Sequence, residues 1–205
     1  MPAEEDAVPT PRSRAKADRR RAILRSAAQL FAQRGFARVS IEDLGAAAGV
    51  SGPAVYRHFS SKQSVLAALL TDVSEELLTG GRAVVARAAA DEDALRGLVA
   101  FQVDFALSNA DVITVQDRDM SSLTPEDQLR VRTLQRAYIG VWVELLERLQ
   151  PGVDRSTLRL KVQATFGLIN STPHSVRSHG RPRELRAARP VLEGMALAGL
   201  LTGHG

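Results

Sequence analysis

Residues suited to phosphate oxygens and base edges lie close together near the N-terminus of this 205-residue chain. Residues 51–58 have the sequence S-G-P-A-V-Y-R-H, and Lys62 follows one helical turn later. Serine hydroxyls and backbone N–H groups at the start of a helix bind phosphate, and arginine can also bind guanine through two hydrogen bonds. The small residues Gly52, Pro53 and Ala54 would let a helix start enter the major groove. This pattern predicts an interface with double-stranded DNA.

Taken singly, these residues have commoner explanations. A tyrosine such as Tyr56 is usually half-buried in packing, and a histidine such as His58 is usually at the surface or hydrogen-bonded within a core. An isolated Arg57 would usually be solvated. It is their combination at this spacing, with Ser51 ahead of them, that favours contact with DNA.

Two short helices joined by a tight turn are expected to position these residues. Ser40 is expected to cap the first helix, about residues 41–48, in a capping box with Asp43. Gly49 would form the turn, and the alanines at 46–48 would let the two helices approach closely. The predicted inward-facing residues of the first helix are Ile41, Leu44 and Ala47.

The second helix, near residues 52–58, is predicted to be the recognition helix. Ser51 would cap it, Pro53 is tolerated in its first turn, and Val55 and Phe59 would anchor it to the core. The predicted DNA-contacting residues are Ser40, Ser51, Gly52, Pro53, Ala54, Tyr56, Arg57, His58 and Lys62.

Apolar residues recur at helical spacing through most of the chain, which predicts an all-α fold of about nine helices. The expected organisation begins with a disordered basic arm at 1–16, followed by a three-helix helix-turn-helix domain at 17–62. A helical ligand-binding and dimerisation domain is expected at 63–205. The N-terminal helix of the chain, which precedes the two helices of the helix-turn-helix, is expected to begin after an N-cap at Asp18.

Glycine and proline predict two interruptions in the second domain. The pair Gly80–Gly81 is expected to weaken, kink or end the fourth helix. Pro173 is expected to end a helix that begins after Asp154, since proline cannot donate a helix hydrogen bond.

Basic charge is concentrated in the N-terminal quarter. Residues 12–62 contain 11 Lys and Arg against 3 Asp and Glu, whereas residues 63–205 contain 16 against 17. This asymmetry is typical of a polyanion-binding end on a neutral body, although a solvated basic face is also common. The basic residues of the arm would either add contacts to DNA or form a solubilising tail, and the sequence leaves both open.

The composition disfavours several classes of function. The chain has no cysteine, which excludes disulfides and thiolate metal sites, and we predict no metal and no cofactor. Its four histidines form no H-E-x-x-H pattern, and it has no phosphate-binding glycine loop or G-x-S-x-G, so an enzyme is not expected. No apolar run reaches the roughly 18 residues of a membrane span, and no secretory signal is apparent. A cytoplasmic protein with no membrane partner is therefore expected.

The segment at 49–62, G-V-S-G-P-A-V-Y-R-H-F-S-S-K, resembles the signature of the TetR family of one-component transcriptional regulators. The family pattern G-V/I-S-x-x-x-L/V-Y-x-H/Y-F-x-S/N-K is met at every defined position. The upstream family pattern A-x-x-L-F-x-x-x-G-F/Y is met by Ala27, Leu30, Phe31, Gly35 and Phe36. The likeness is specific over about residues 19–66.

The resemblance implies roles for individual residues of the helix-turn-helix. Ser40, Tyr56 and His58 would hold phosphates, residues 52–54 would lie nearest the bases, and Lys62 would add a contact from the fourth helix. It also implies a ligand-responsive repressor that binds a palindromic operator as a homodimer. A transcriptional activator, or a DNA-binding protein without a ligand, would use the same motif. By position, the dimer bundle would use the helices at 125–149 and 154–172.

The second domain is expected to hold a small hydrophobic effector in a mostly apolar pocket. Aromatic residues at helical spacing are usually core, but the candidate lining residues are Phe101, Phe105, Val115, Tyr138, Trp142, Phe166, Asn170 and His174. The polar cluster at 170–174 resembles segments of actinobacterial family members that govern lipid or sterol catabolism, which implies an acyl-CoA effector. Arg177, Arg181 and Arg183 could then meet the CoA phosphates.

Overall fold

The structure is a computed structural model that describes residues 10–178 and 182–202, without the side chains of residues 11, 172–178 and 182–186. The described residues form nine α-helices and two short 3-10 helices, and no strand. The α-helices are α1 (Pro11–Arg34), α2 (Ile41–Ala47), α3 (Gly52–Tyr56), α4 (Lys62–Arg87), α5 (Asp91–Ser108), α6 (Ala110–Asp119), α7 (Pro125–Leu149), α8 (Arg155–Ser178) and α9 (Pro182–Leu201). The predicted all-α fold of about nine helices is confirmed.

The first helix begins earlier than the sequence predicted. The Thr10 hydroxyl accepts a hydrogen bond from the Ser13 N–H at 3.2 Å, and Pro11 occupies the first turn, where its missing N–H costs nothing. Residues 11–16 therefore belong to α1, and the expectation of a disordered arm is wrong for them. Residues 1–9 lie outside the described part of the chain.

The capping box predicted at the start of α2 is present. The Asp43 N–H donates to Ser40 Oγ at 3.0 Å, and the Ser40 N–H donates to Asp43 Oδ2 at 2.8 Å. The bond from the Ser40 backbone, followed by that from its hydroxyl, lowers the pKa of Asp43. Gly49 forms the following turn with a φ of 68°, and α3 ends at Tyr56 rather than at His58.

The close approach within the helix-turn-helix occurs at Gly45 rather than at the alanines 46–48. Gly45 is buried, whereas Ala47, which was expected to face inward, is exposed. A Cβ atom on Gly45 would lie only 2.8 Å from Val50 O and 3.2 Å from Gly52 N. A glycine is therefore required where the turn folds back over α2.

α4 continues through Gly80 and Gly81, so the expectation that this pair ends the helix is wrong. A Cβ atom on Gly80 would collide with the Phe101 ring, and one on Gly81 would lie 2.5 Å from the Tyr138 ring. The two glycines thus admit aromatic side chains from α5 and α7 against the backbone of α4. Close packing, rather than helix termination, accounts for them.

α8 also runs past its predicted end, with Pro173 inside the helix, and Pro190 lies inside α9. An internal proline removes one helix hydrogen bond but leaves the others in place when neighbouring helices hold the segment. α8 packs against both α7 and α9, which supplies that support.

Two hydrophobic cores are joined by α4. The first core contains side chains of α1–α3 and the first half of α4, together with Val112 and Val115 of α6. The second core contains the rest of α4 with α5, α7, α8 and α9 and Ile113 of α6, around the fully buried Trp142. The expected domain boundary after residue 62 coincides with the start of α4, whose Leu66 belongs to the first core.

The predicted apolar face of α7 is used inside the second core, where Tyr138 and Leu145 are buried. Large exposed apolar side chains of this domain occur at Leu129 of α7, at Leu160 of α8, and at Val191, Met195 and Leu201 of α9. The expected pairing of the helices at 125–149 and 154–172 in a dimer bundle stays a prediction.

Within the described residues, no single helix is long and apolar enough to cross a membrane. The helices Asp91–Ser108 and Ala110–Ser122, bent by 82°, meet the length and composition criterion only as a pair. The same part of the chain contains no group of three or more His, Asp or Glu side chains that could hold a metal ion.

Candidate nucleic-acid interface and ligand cavity

α3 presents one side to the core and leaves the other in solvent. Val55 is fully buried, and Phe59, just beyond the helix, is only 5% exposed, which confirms both predicted anchors. Pro53, Tyr56 and Arg57 are exposed, and Tyr56 retains 54% of its accessible surface. The outer side of the recognition helix is therefore free to meet a large partner.

The two serines ahead of α2 and α3 differ in what their hydroxyls do. The Ser40 hydroxyl is engaged, because it donates to Asp43 Oδ2 at 2.7 Å and also accepts the Asp43 N–H. The exposed Ser51 hydroxyl caps no N–H of α3 and remains available for a partner. Gly52 and Ala54, predicted to lie nearest the bases, are partly exposed beside it.

Ser40, Tyr56 and Lys62 line one open surface hollow of about 490 Å³, although they are separated in sequence. The same hollow includes three donors that were absent from the predicted set, namely Arg38, Ser60 and Ser61. Hydroxyl and cationic donors around one hollow suit a phosphate group. Their signal in the sequence is position alone, since Ser61 is the N-cap of α4, Ser60 precedes it, and Arg38 lies two residues before the cap of α2.

Lys62 has a structural role in addition to the one predicted for it. Its Nζ donates to Phe36 O at 2.8 Å and to Ala37 O at 3.2 Å, and it stands 4.5 Å from the centre of the Phe36 ring. These contacts tie the start of α4 to the turn after α1. An ammonium group has three donors, so one remains for a phosphate.

His58 lies just beyond α3 among positive charges. Burial, followed by the charges of Lys16, Arg19, Arg20 and Arg57, lowers the pKa of His58 below its usual value. In the free protein, His58 is therefore neutral at pH 7 and donates through one ring nitrogen. A phosphate beside it would favour the protonated form instead.

The basic residues of α1 divide between structural and free roles. Arg20 pairs with Asp72 of α4 through two hydrogen bonds and stands 5.5 Å from the centre of the Phe59 ring. Lys16 and Arg19 are exposed and influence the nearby recognition helix through their charge. The start of α1 thus extends the positive surface beside α3.

A cavity of about 250 Å³ lies between α4, α5, α6, α7 and α8. Its wall combines apolar side chains with neutral amides and hydroxyls, and none of the described residues that line it is charged. The lining residues are Ser74, Leu77, Gln102, Phe105, Ile113, Gln116, Gln135, Tyr138, Ile139, Gln163, Phe166 and Asn170. Such a wall suits a mostly apolar, uncharged ligand with a few oxygen atoms.

Hydrogen bonds connect the polar groups along one wall of this cavity. The Tyr138 hydroxyl donates to Gln102 Oε1 at 3.0 Å, and Gln102 Nε2 donates to Asn170 Oδ1 at 3.1 Å. Burial raises the pKa of Tyr138, so its phenol stays protonated. The buried Gln135 Nε2 has no hydrogen-bond partner within the described residues, and a ligand oxygen would satisfy it.

Four of the predicted ligand residues, Phe105, Tyr138, Phe166 and Asn170, line this cavity. Trp142 is fully buried behind them, with its ring centre 5.2 Å from that of Phe166 and 6.2 Å from that of Tyr138. Trp142 therefore supports the wall rather than forming it.

The other predicted ligand residues lie elsewhere. Phe101 packs over Gly80, and Val115 belongs to the first core because α6 turns that side towards α1. The side chain of His174 lies outside the described residues. Four glutamines line the cavity but were not among the predicted ligand residues, namely Gln102, Gln116, Gln135 and Gln163. In the sequence, each is indicated only as a polar residue on an otherwise core-facing side of a helix.

α6 connects the cavity to the helix-turn-helix. Its residues Ile113 and Gln116 line the cavity. Two residues further on, Arg118 reaches the end of α1, where Nη1 donates to Ala32 O at 3.1 Å and Nη2 donates to Phe31 O. One short helix therefore contacts both the cavity and the DNA-binding head, meaning α1–α3 with the start of α4.

A helix-turn-helix with an exposed basic recognition surface, joined to a helical body that contains a partly open, uncharged cavity, defines a ligand-responsive DNA-binding regulator. Two family models match the chain. Residues 23–69 match "Bacterial regulatory proteins, tetR family", and residues 88–198, more than half of the chain, match "Tetracyclin repressor-like, C-terminal domain". The chain belongs to the TetR family, as its resemblance predicted.

Curated relatives of this chain are transcriptional regulators. HTH-type transcriptional repressor KstR2 of Rhodococcus jostii is 25% identical over 160 residues, 77% of each chain. KstR2 of Mycolicibacterium smegmatis is 28% identical over 163 residues, 76% of each chain. HTH-type transcriptional activator FasR of M. smegmatis is 32% identical over 88 residues, 43% of this chain and 40% of FasR.

Solved structures of the family share the fold. A TetR-family regulator from Bordetella parapertussis superposes with a TM-score of 0.76 at 23% identity, over 90% of this chain and 95% of that one. Ketosteroid transcriptional regulator KstR2 of Mycobacterium tuberculosis superposes with a TM-score of 0.71 at 21% sequence identity. The match covers 90% of this chain and 96% of KstR2. FadR from Bacillus subtilis in complex with stearoyl-CoA superposes with a TM-score of 0.68 at 15% sequence identity. The match covers 87% of this chain and 98% of FadR.

Proposed function

We propose that this protein represses transcription as a homodimer on a palindromic operator and is released by a small hydrophobic effector. The observation that supports this most strongly is the position of α6, which lines the cavity and also holds the end of α1. A ligand that favours one position of α6 would shift α1, and with it the spacing of the two DNA-binding heads.

On the operator, the start of α3 is proposed to enter the major groove. Residues 52–54 then lie nearest the bases, because their small side chains allow close approach. Arg57 binds phosphate or guanine, and a phosphate occupies the hollow lined by Ser40, Tyr56 and Lys62. The available Ser51 hydroxyl adds a further phosphate contact.

The second copy of the chain is proposed to pair through α8 and α9. These two helices carry Leu160, Val191, Met195 and Leu201, each at least half exposed in the single chain. Exposed apolar side chains on neighbouring helices are typical of a protein–protein contact, and two copies of the same face give a closed dimer with twofold symmetry. Twofold symmetry in turn accounts for a palindromic operator.

The effector is proposed to be an acyl-CoA whose acyl part enters the cavity. The uncharged lining suits an acyl chain and its carbonyl oxygen but not the phosphates of CoA, which would remain outside. Support by analogy comes from FadR, whose structure contains stearoyl-CoA. Arg177, Arg181 and Arg183, expected to meet those phosphates, lie outside the described side chains.

A gel-shift titration of the operator complex tests this proposal. The operator is first selected from random duplexes, and the complex is then titrated with octanoyl-CoA, palmitoyl-CoA, stearoyl-CoA and free CoA. We expect release by at least one acyl-CoA and not by free CoA. Absence of release by any acyl-CoA at saturating concentration would exclude the acyl-CoA effector.

The same complex formed with Tyr138→Phe tests whether the cavity is the effector site. This variant keeps the ring and removes only the hydroxyl that donates to Gln102. We expect unchanged operator affinity and a shifted acyl-CoA concentration for release, since the polar wall is altered. An unchanged titration curve would place the effector elsewhere.

A second candidate function is transcriptional activation, which is favoured by the similarity of 43% of the chain to the activator FasR. Both functions would use the same helix-turn-helix. Reporter output from the selected operator, with and without the gene for this protein, separates them. Higher output without the gene indicates repression, and lower output indicates activation.

A further inference from the structure

Five arginines surround an open groove between α4, α7 and α8. The groove has a volume of about 520 Å³, and its floor consists of small or apolar residues such as Ala137, Gly140 and Val141. The arginines are Arg82, Arg136, Arg148, Arg155 and Arg159. These arginines line neither the hollow beside α3 nor the effector cavity.

The groove is separated from the effector cavity by α7. Residues 136, 140 and 144 face the groove, whereas residues 135, 138 and 139 face the cavity. At about 100° per residue, these two sets lie on different sides of the helix. A molecule in the cavity therefore leaves the groove open.

Positive charge in the groove exceeds the charge of the neighbouring acids. Among the described residues that line it, Glu144 is the one acid. Arg148 is held by Asp91 through bonds of 2.9 and 2.7 Å, and Arg155 is paired with Glu147. Asp91 and Glu147 thus hold two of the five arginines in position. The five arginines still outnumber these two acids and Glu144, so the groove carries a net positive charge.

Arg82 and Arg159 are the available cations of the groove. Neither has a hydrogen bond or ion pair with any of the described residues, and Arg159 is partly buried. They come from different helices, α4 and α8, and so approach the groove from separate walls. Unpaired guanidinium groups bind phosphate oxygens through two parallel bonds, and they also stack on aromatic rings.

The operator cannot supply these phosphates. Arg82 lies 20 residues after Lys62 on the same continuous helix, which places it about 30 Å along α4 from the DNA-binding head. The anion that fits the groove is therefore a small molecule or a separate polyanion.

We propose that the groove binds a nucleotide with several phosphates. The phosphates bind Arg82 and Arg159, while the base lies over the small residues Ala137 and Gly140. The apolar floor favours a nucleotide over a bare polyphosphate or a nucleic-acid backbone. This ligand is independent of the effector in the cavity.

Isothermal titration calorimetry of the full chain with ATP and with tripolyphosphate, at about 0.15 M salt to screen long-range attraction, tests the proposal. The variant is Arg82→Gln/Arg159→Gln, and the matched control is Arg12→Gln/Arg96→Gln, which removes the same charge from exposed positions outside the groove. Thermal unfolding confirms that both variants are folded.

We expect ATP to bind the wild type and the control within twofold of each other, and the groove variant at least tenfold more weakly. Tripolyphosphate should bind the wild type at least threefold more weakly than ATP, because it lacks a base. Three results would each overturn the proposal. These are no ATP binding at millimolar concentration, equal loss in both variants, and displacement of ATP by a short duplex lacking the operator.

Discussion

Replacing Arg118 by Met is expected to loosen the junction between α6 and α1. Arg118 donates to two of the last carbonyls of α1 and pairs with Asp119, whose side chain is only 9% exposed. Methionine keeps much of the apolar stem and removes all of these bonds. Hydrogen bonds from charged donors contribute about 1.5–3 kcal/mol each. Because 42% of the Arg118 side chain is exposed, solvent screens it, and we expect a total loss of about 2 kcal/mol.

Two measurements check this expectation. The loss should lower the thermal midpoint by about 4–8 °C for a chain of this size. Hydrogen exchange should quicken at the amides of residues 32–38, which follow the lost contacts, and acyl-CoA should release the operator less completely. Arg130→Met is the control, since it removes an exposed arginine that pairs with Glu75 and does not contact α1. Equal exchange at residues 32–38 in both variants would refute the role of Arg118.

Three further substitutions test the DNA-binding head. Gly45→Ala should abolish most operator binding, because the added Cβ would lie 2.8 Å from Val50 O and displace α3. Ala46→Ser is the control at an exposed position. Equal gel-shift affinities of the two variants for the operator would contradict this packing. Tyr56→Ala should weaken operator binding by about 1–2 kcal/mol without changing base preference in selections from random duplexes, whereas wild-type affinity would place α3 outside the groove. Operator affinity should rise as the pH falls from about 8 to about 6, because DNA phosphates raise the lowered pKa of His58 and binding takes up a proton. His58→Gln should remove this slope, and a persistent slope would assign it to another group.

Features set by neighbouring residues could be predicted from the sequence. The capping box of Ser40 and Asp43 depends on two side chains three positions apart, and the anchors Val55 and Phe59 follow from helical spacing. The start of α1 was missed although its signal is equally local, since Thr10 followed by Pro11 is a typical cap and first helical residue.

Features set by distant partners could not be predicted. The pair Gly80–Gly81 predicts a weakened, kinked or ended helix, and only the Phe101 ring from α5 explains why a glycine is needed at position 80 of a continuous helix. The amide side chains of the cavity could not be predicted for the same reason. In the sequence, Gln102 is a polar residue with no evident partner, and only the fold brings Tyr138 and Asn170 within hydrogen-bond distance of it. The predicted roles of the DNA-contacting residues stay predictions that the variants above address.

The shared use of α4 and α6 by both cores limits how this regulator can be re-engineered. A chimera joined at the start of α4 would give a foreign head a surface shaped for Val112 and Val115, which belong to the body in sequence but complete the core of the head. The same cut would separate Arg118 from the α1 carbonyls that it holds. Exchanging operator specificity while keeping the response to effector therefore requires α6 to be redesigned together with the transplanted head.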